Sequence, residues 1–220
     1  NKKLKMRTKT LLLTAALSAA GIATSMAQVF SVNAVGYVTT KIPAKGFALI
    51  SNPLTASDNT IQALFKGAPA GTQVYRYNGT GFDVAAMDDI DLKFLPDNVA
   101  NLTVLPGEGV FVFNPTAAEI SFTFVGEVPQ GDLKNPLPKG LSIRSSMVPQ
   151  PGTAKDLGLA GAPGDQIFKF ETAGQKYAAF AFDDIDNDWV PRLTPLAVGE
   201  AFFLSKGAAG SWDRKFSVNQ

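Results

Sequence analysis

Three aspartates near the end of the chain have the spacing of a cation site built from oxygen ligands. The segment "FDDIDNDW" places Asp184, Asp186 and Asp188 at every second position. Ca²⁺ binds about six to eight oxygens, and calcium loops begin with acidic residues at this interval. The pattern then breaks, because Trp189 stands where the glycine belongs and the closing glutamate is absent. Calcium is one hypothesis, and an acidic turn whose aspartates bond to their own backbone is the other.

Aromatic residues beside these aspartates suggest a second kind of chemistry. Tyr177, Phe182 and Trp189 lie within thirteen positions of one another. A flat exposed ring with polar neighbours can stack on a sugar. The alternative is that these rings fill the hydrophobic core, as most large aromatic residues do.

Two glutamates occupy matching turns, Glu108 in "PGEGVFVF" and Glu200 in "VGEAFFLS". A pair of carboxylates about 5–10 Å apart can hydrolyse a glycosidic bond. Because each glutamate precedes its own strand, we expect instead that each accepts backbone N–H bonds within its turn. A carboxylate-based hydrolase remains the third functional hypothesis.

Histidine and cysteine are both absent from the sequence. This excludes Ser-His-Asp catalysis, thiolate catalysis, iron–sulfur clusters and zinc sites built from His or Cys. No "GxxxxGK[ST]" phosphate-binding loop occurs either. We therefore predict that the protein is not an enzyme and has no cofactor apart from the calcium hypothesis.

The N-terminal segment has the order of a secretory signal peptide. Arg7 and Lys9 precede an apolar run, which ends in the small residues before Ala27. The run is shorter than the roughly 20 apolar residues of a membrane span. We predict a signal peptide over 1–27, with 1–5 as an upstream extension, and export to the periplasm, cell surface or extracellular space.

Cleavage after Ala27 would change the net charge from +1 to −4. It removes five basic residues and no acidic ones, leaving 15 basic against 19 acidic residues. A mildly acidic surface without basic runs argues against nucleic acid as a partner. No integral membrane segment is expected in the mature protein.

The rest of the chain is a tandem repeat. "GAPAGTQVYRYNGTGF" at 67–82 pairs with "GAPGDQIFKFETAGQKY" at 161–177, and "DDIDLKFLPD" at 88–97 pairs with "DDIDNDWVPR" at 183–192. The offset stays between 92 and 95 residues across the matched blocks, which only small loop insertions allow. We predict two homologous domains, at 28–130 and 131–220.

Alternation of apolar and polar residues predicts strands within each domain. In "QVYRY" and "QIFKF" we expect the aromatic rings to face the core, with Arg76 and Lys169 facing water. Gly107 and Gly199 are expected to supply backbone angles that a side chain disfavours. Arg144 stands where the first domain has Ile50, which either an exposed sheet face or contact between the domains would explain.

One short helix is predicted in each domain. "SDNTIQALFKG" has N-cap candidates at 57–59 and a stop at Gly67. "TAKDLGLAG" is its counterpart, capped by Thr153 and weakened by Gly158. The fold class is therefore all-β: two tandem β-sandwich or barrel-like domains, each with one short helix.

A boundary motif occurs three times around the two domains: "FSVNAVGYV" at 30–38, "FTFVGEV" at 122–128 and "FSVN" at 216–219. Either the first strand completes the first domain and the last completes the second, or an edge stays open for another chain. We favour the closed arrangement, because native folds usually protect their edges.

Several segments resemble a family of exported bacterial two-unit β-rich proteins. They are "VNAVGYV", "IPAKGFALISNPL", "LPGEGVFVFNP", "FVGEVPQG" and "WDRKFSVN". This resemblance covers essentially the whole mature chain. A looser resemblance links the same segments to accessory β-modules of bacterial surface proteins. It implies export and a β-rich fold, and it carries no catalytic residue to transfer.

These observations favour an exported, non-enzymatic structural or adhesive β protein of the cell envelope or extracellular space, for which self-association through edge strands is one hypothesis. The alternative is a carbohydrate-binding module, with or without Ca²⁺, that uses Tyr177, Phe182 and Trp189.

Overall fold

Two sets of seven strands follow one another in the part of the chain that the structure describes. This computed structural model describes residues 34–218, so the predicted signal peptide lies outside the described residues. The strands of the first half are β1 (Val35–Ile42), β2 (Phe47–Ile50), β3 (Gln73–Tyr77), β4 (Phe82–Met87), β5 (Phe94–Leu95), β6 (Val110–Phe113) and β7 (Ile120–Glu127). Those of the second half are β8 (Gly131–Leu137), β9 (Gly140–Ser145), β10 (Gln166–Glu171), β11 (Lys176–Asp183), β12 (Asp188–Val190), β13 (Ala201–Lys206) and β14 (Gly210–Phe216).

Both halves have the same antiparallel topology. The first contains a five-stranded sheet of order β2-β6-β3-β4-β5 and a two-stranded ribbon, β1-β7. The second contains a sheet of order β9-β13-β10-β11-β12 and a ribbon, β8-β14. Each strand of the second half occupies the place of the strand seven earlier, which confirms the predicted all-β fold with two similar halves.

Each half has a core between its sheet and its ribbon. In the first half, Val74 and Val112 of the sheet pack with Phe122 and Phe124 of the ribbon. In the second half, Ile167 and Leu204 of the sheet pack with Trp212 of the ribbon. The opposite faces of the two sheets meet each other in a third apolar cluster, so the layers run ribbon, sheet, sheet, ribbon.

The predicted helix of the first half is confirmed and that of the second half is wrong. Helix α1 (Ile61–Leu64) begins after Thr60, whose Oγ1 accepts a bond from the amide of Ala63. Residues 153–158 form a turn instead, in which Thr153 Oγ1 accepts from the Asp156 amide at 3.2 Å. Gly158, at φ +73°, ends this turn before a second one can form. A further helix, α2 (Asp97–Ala100), was not predicted.

The terminal strands pair inside their own halves. β1 pairs with β7 from Val35↔Glu127 to Ile42↔Ile120, and β14 pairs with β8 from Gly210↔Leu137 to Phe216↔Gly131. This confirms the closed arrangement of the boundary strands. Neither helix among the described residues has the length and apolar character needed to cross a bilayer.

Candidate functional site

The face that the two sheets share is lined with aromatic side chains. We call this face the seam. Its buried centre consists of Leu49, Phe111, Ile143, Ala201 and Phe203. Around that centre pack the half-buried Phe47, Tyr75, Tyr77, Phe168 and Phe170. The two repeats are therefore joined by a continuous apolar interface.

The β3 and β10 aromatics pack on an apolar cluster, as predicted, but that cluster is the seam and not the core of either half. Val74 and Ile167 point into those cores, so strand alternation turns Tyr75 and Phe168 onto the seam. The same alternation keeps the basic side chains on the core-facing side. Lys169 is mostly buried there, with Nζ 3.1 Å from a carboxylate oxygen of Glu200.

The two halves contact each other reciprocally, as across a two-fold interface. The Ser51 amide donates to the Gly199 carbonyl at 2.9 Å, and the Ser145 amide donates to the Gly107 carbonyl at 3.0 Å. Both glycines have positive φ, +76° for Gly199 and +96° for Gly107, as predicted. Isolated bridges Ile50↔Glu200 and Glu108↔Arg144 extend the same pattern. Ile50 and Arg144 thus make equivalent bridges to the opposite half, so this contact does not explain the replacement.

The two repeated glutamates close the turns that precede β6 and β13. Glu108 Oε2 accepts from the Leu105 amide at 3.0 Å, and Glu200 Oε2 accepts from the Ala197 amide at 2.8 Å. This confirms the turn role expected from the sequence. Each carboxylate also faces a cation: Arg76 lies 3.7 Å from Glu108, and Lys169 faces Glu200.

One end of the seam opens to solvent as an aromatic groove. The groove has a volume of about 650 Å³. Its lining comprises Lys45, Phe47, Tyr75, Phe82, Phe111, Phe170, Gln175 and Tyr177. These residues come from both halves, from six strands and two turns, so only the packing of the two repeats assembles the groove.

Phe82 and Tyr177 are the exposed rings of this groove and occupy equivalent places in the two repeats. Phe82 pairs with Tyr77 at the start of β4, and Tyr177 pairs with Phe170 near the start of β11. Phe82 is 43% exposed and Tyr177 is 50% exposed. Both rings rest on buried Phe111, with centroids 6.4 and 6.2 Å from it. The result is a pair of half-exposed rings that share one buried ring as their support.

Polar groups lie at the border of the groove. Gln175 binds the edge of β2, because its Nε2 donates to the Phe47 carbonyl and its Oε1 accepts from the Phe47 amide, both at 2.8 Å. The Tyr75 hydroxyl donates to Gln73 Oε1. The Tyr177 hydroxyl has no hydrogen-bond partner among residues 34–218, and partial burial raises the pKa of this phenol. Tyr177 therefore combines a free ring face with a free donor and acceptor.

The structure does not bring Tyr177, Phe182 and Trp189 together. Tyr177 lies in the groove, whereas Phe182 and Trp189 pack on the opposite face of β11 with ring centroids 5.5 Å apart. Trp189 is 2% exposed and belongs to the core of the second half. Phe182 is partly exposed and, with Asp186, Asp188 and Trp189, lines a separate cavity of about 370 Å³. A ligand role for the three residues stays untested, and Tyr177 is the most exposed ring of the three.

The predicted calcium residues Asp184, Asp186 and Asp188 do not converge. Across the described part of the chain, no three acidic side chains lie close enough together to hold a metal ion. Asp188 Oδ1 accepts from the Trp189 amide at 2.8 Å instead. Calcium binding stays a prediction without a converging set of carboxylates.

The acidic segments form turns in which an aspartate bonds to its own backbone, as the alternative to calcium binding predicts. Asp183 Oδ1 accepts from the amides of Ile185 and Asp186 at 2.8 and 3.1 Å. The equivalent Asp88 Oδ1 accepts from Ile90 and Asp91 at 2.8 and 2.9 Å. Bonds from the Asp91 and Ile90 amides lower the pKa of the Asp88 carboxyl. Both acidic segments are thus Asx turns.

The groove could not be located from local sequence, because Phe47 and Tyr177 are 130 positions apart. The alignment of the two repeats could have indicated the pair of exposed rings, because it matches Phe82 with Tyr177 in otherwise polar turns. Comparison of the chain with protein-family models, curated proteins and solved structures found no match.

Proposed function

We propose that the protein is an exported, non-enzymatic carbohydrate-binding module whose ligand occupies the aromatic groove. The observation that carries this proposal is the pair of half-exposed rings, Phe82 and Tyr177, backed by Phe111 at the junction of the two repeats. The volume of about 650 Å³ lies within the range of roughly 300–1,000 Å³ typical of small-ligand sites.

A sugar suits this groove better than a purely apolar ligand. The C–H face of a pyranose can lie on an aromatic ring while its hydroxyls reach polar groups at the border. Here the Tyr177 hydroxyl is free, whereas the rim side chains of Lys45 and Gln175 also bond the main chain of Pro115 and Phe47. An apolar ligand would bury the phenol group without a partner, which costs about 1–3 kcal/mol.

The geometry around the two repeated glutamates supports a non-enzymatic role. Glu108 and Glu200 each accept a main-chain N–H and each face a cation. A glycosidase needs two carboxyl groups that both reach one glycosidic bond, whereas these contacts hold each carboxylate within its own turn.

Export is part of the proposal and rests on the sequence. Residues 6–27 have the basic, apolar and small-residue order of a signal peptide. Locating the cleaved chain by fractionation and N-terminal sequencing tests it. A mature N-terminus at Gln28 in an exported fraction is the expected result, and an uncleaved cytoplasmic chain would contradict it.

Glycan-array screening of the folded protein tests the binding role, followed by calorimetric titration of the best ligand. Tyr177→Ala and Phe82→Ala should each weaken binding by about 5-fold or more, as expected for the loss of one stacked ring. Tyr37→Ala is the matched control, because Tyr37 is 73% exposed on the β1–β7 ribbon and lies outside the groove. No glycan binding, or equal binding by all three variants, would refute the proposal.

A structural or adhesive role through self-association is the second candidate. The outer face of the β1–β7 ribbon exposes Val35, Tyr37 and Val125, and Tyr37 pairs directly with Val125. Exposed apolar ribbon faces can mediate association. Sedimentation velocity tests this role: assembly that Tyr37→Lys abolishes would support it, and a monomer at all concentrations would exclude it.

A further inference from the structure

A second cavity, distinct from the aromatic groove, lies between the two halves and is rich in basic groups. Its volume is about 410 Å³. Arg76 and Glu108 of the first half and Lys139 and Arg144 of the second line it. We call this cavity the basic pocket. Three cations against one carboxylate give it a local charge of +2.

Arg144 is the least compensated of these cations. Its Nε donates to Ser142 Oγ at 3.3 Å, and no carboxylate among the described residues lies within 4.0 Å of its guanidinium. Burial lowers the pKa of Arg144, the charge of Glu108 opposes this, and repulsion from Arg76 adds to it. A guanidinium partly removed from water and beside a second guanidinium is stabilised by an anion.

The equivalent site between the halves, formed by Ile50, Lys169 and Glu200, supplies an internal reference. There the residue in the place of Arg144 is neutral. Ile50 replaces Arg144 and is buried in the core of the first half. Lys169 replaces Arg76, and its Nζ contacts Glu200 at 3.1 Å, Thr194 Oγ1 at 2.9 Å and the Pro195 carbonyl at 3.1 Å. The equivalent site thus holds a closed ion pair beside an isoleucine, whereas the basic pocket holds a looser pair at 3.7 Å beside an extra cation.

We propose that the basic pocket is a binding site for an oxyanion, a carboxylate or sulfate group, held by Arg144 and Arg76. A guanidinium presents paired N–H donors that match two oxygens of such a group. Tyr77 and Leu141 also line the pocket and would lie near an organic body attached to the anion. Two sources fit this chemistry, an acidic sugar and a free inorganic anion. The proposal does not rest on glycan binding in the aromatic groove.

Calorimetric titrations at constant ionic strength test the site. The probes are sodium glucuronate, sodium sulfate and neutral glucose, with sodium chloride balancing the ionic strength. Arg144→Ile copies the residue of the other repeat and should weaken anion binding by about tenfold or more, as expected for lost charge-assisted hydrogen bonds. Arg192→Gln is the matched control, because it removes one exposed cation outside the pocket and should leave affinity unchanged.

Arg144→Lys provides a second variant if Arg144→Ile does not fold. It keeps the charge but lacks the paired donors, so an affinity between those of the wild type and Arg144→Ile is expected. Binding of glucuronate but not sulfate assigns the site to an acidic sugar, and binding of sulfate assigns it to a free anion. No binding of either anion, or equal binding by wild type, Arg144→Ile and Arg144→Lys, overturns the proposal. Tyr177→Ala should leave anion binding intact, because Tyr177 lines the aromatic groove and not the basic pocket. The test of the basic pocket is therefore independent of the test of the groove.

Discussion

Gly109 is the position where the packing of the two halves is most sensitive to one methyl group. A Cβ built at Gly109 would lie 2.4 Å from Ala201 Cβ, 2.7 Å from Ile143 Cγ2 and 3.1 Å from the Ile50 carbonyl oxygen. Carbon atoms pack best at about 3.5–4.0 Å. Gly109→Ala therefore requires the halves to separate by roughly 1 Å at this point. Overpacking of this kind costs about 1–3 kcal/mol of the free energy of unfolding.

Scanning calorimetry measures this effect, with Gly81→Ala as the matched control. Nothing lies within 4 Å of a Cβ built at Gly81, and its φ is not positive. At about 2–4 °C per kcal/mol for a protein of this size, Gly109→Ala should lower Tm by roughly 2–12 °C relative to Gly81→Ala. Adding Ala201→Gly removes the closest clash and should restore part of the loss. Equal Tm values for Gly109→Ala and Gly81→Ala would refute the close approach of the two sheets.

Three further predictions concern the core, the seam edge and an acidic turn. Trp189→Ala should lower the free energy of unfolding by about 3–5 kcal/mol, because the ring is buried, and urea denaturation measures this loss. Glycan titration of the folded fraction should show unchanged binding in the groove. Gln175→Met removes two bonds to the main chain of Phe47, so hydrogen exchange at the Phe47 amide should accelerate, and unchanged exchange would contradict the contact. Bonds from the Thr153 side chain and amide lower the pKa of Asp156, so its contribution to stability is present above the usual pKa of 3.8 and is lost as pH falls through the lower folded value. Asp156→Asn should flatten this part of the stability–pH curve, and an unchanged curve would count against the bond.

The local patterns of the sequence predicted the strands and their duplication but not the face each strand presents. Alternation in "QVYRY" separates Val74 from Tyr75, and both faces are apolar enough to be buried. Only the meeting of two sheets decides that Tyr75 lies on the seam. A single sequence contains no direct record of that contact.

The candidate site was predicted only in part because neighbours in sequence can lie on opposite faces of a strand. Tyr177 and Phe182 are five positions apart in β11, an odd number, so alternation places their side chains on opposite faces. Trp189 follows Phe182 onto the core face through the pairing of β11 with β12. This separation was readable from the period of the strand. The partnership of Tyr177 with Phe82 depends on the packing of the repeats.

Mapping the ligand by NMR chemical-shift perturbation is the most direct measurement of where this protein binds. With the best glycan from the array, the largest shifts are expected at Phe82, Tyr177 and their neighbours along β4 and β11. The account predicts that these shifts disappear in Tyr177→Ala and persist in Tyr37→Ala. Shifts centred on the turn from Asp184 to Trp189, with the groove residues unaffected, would contradict it.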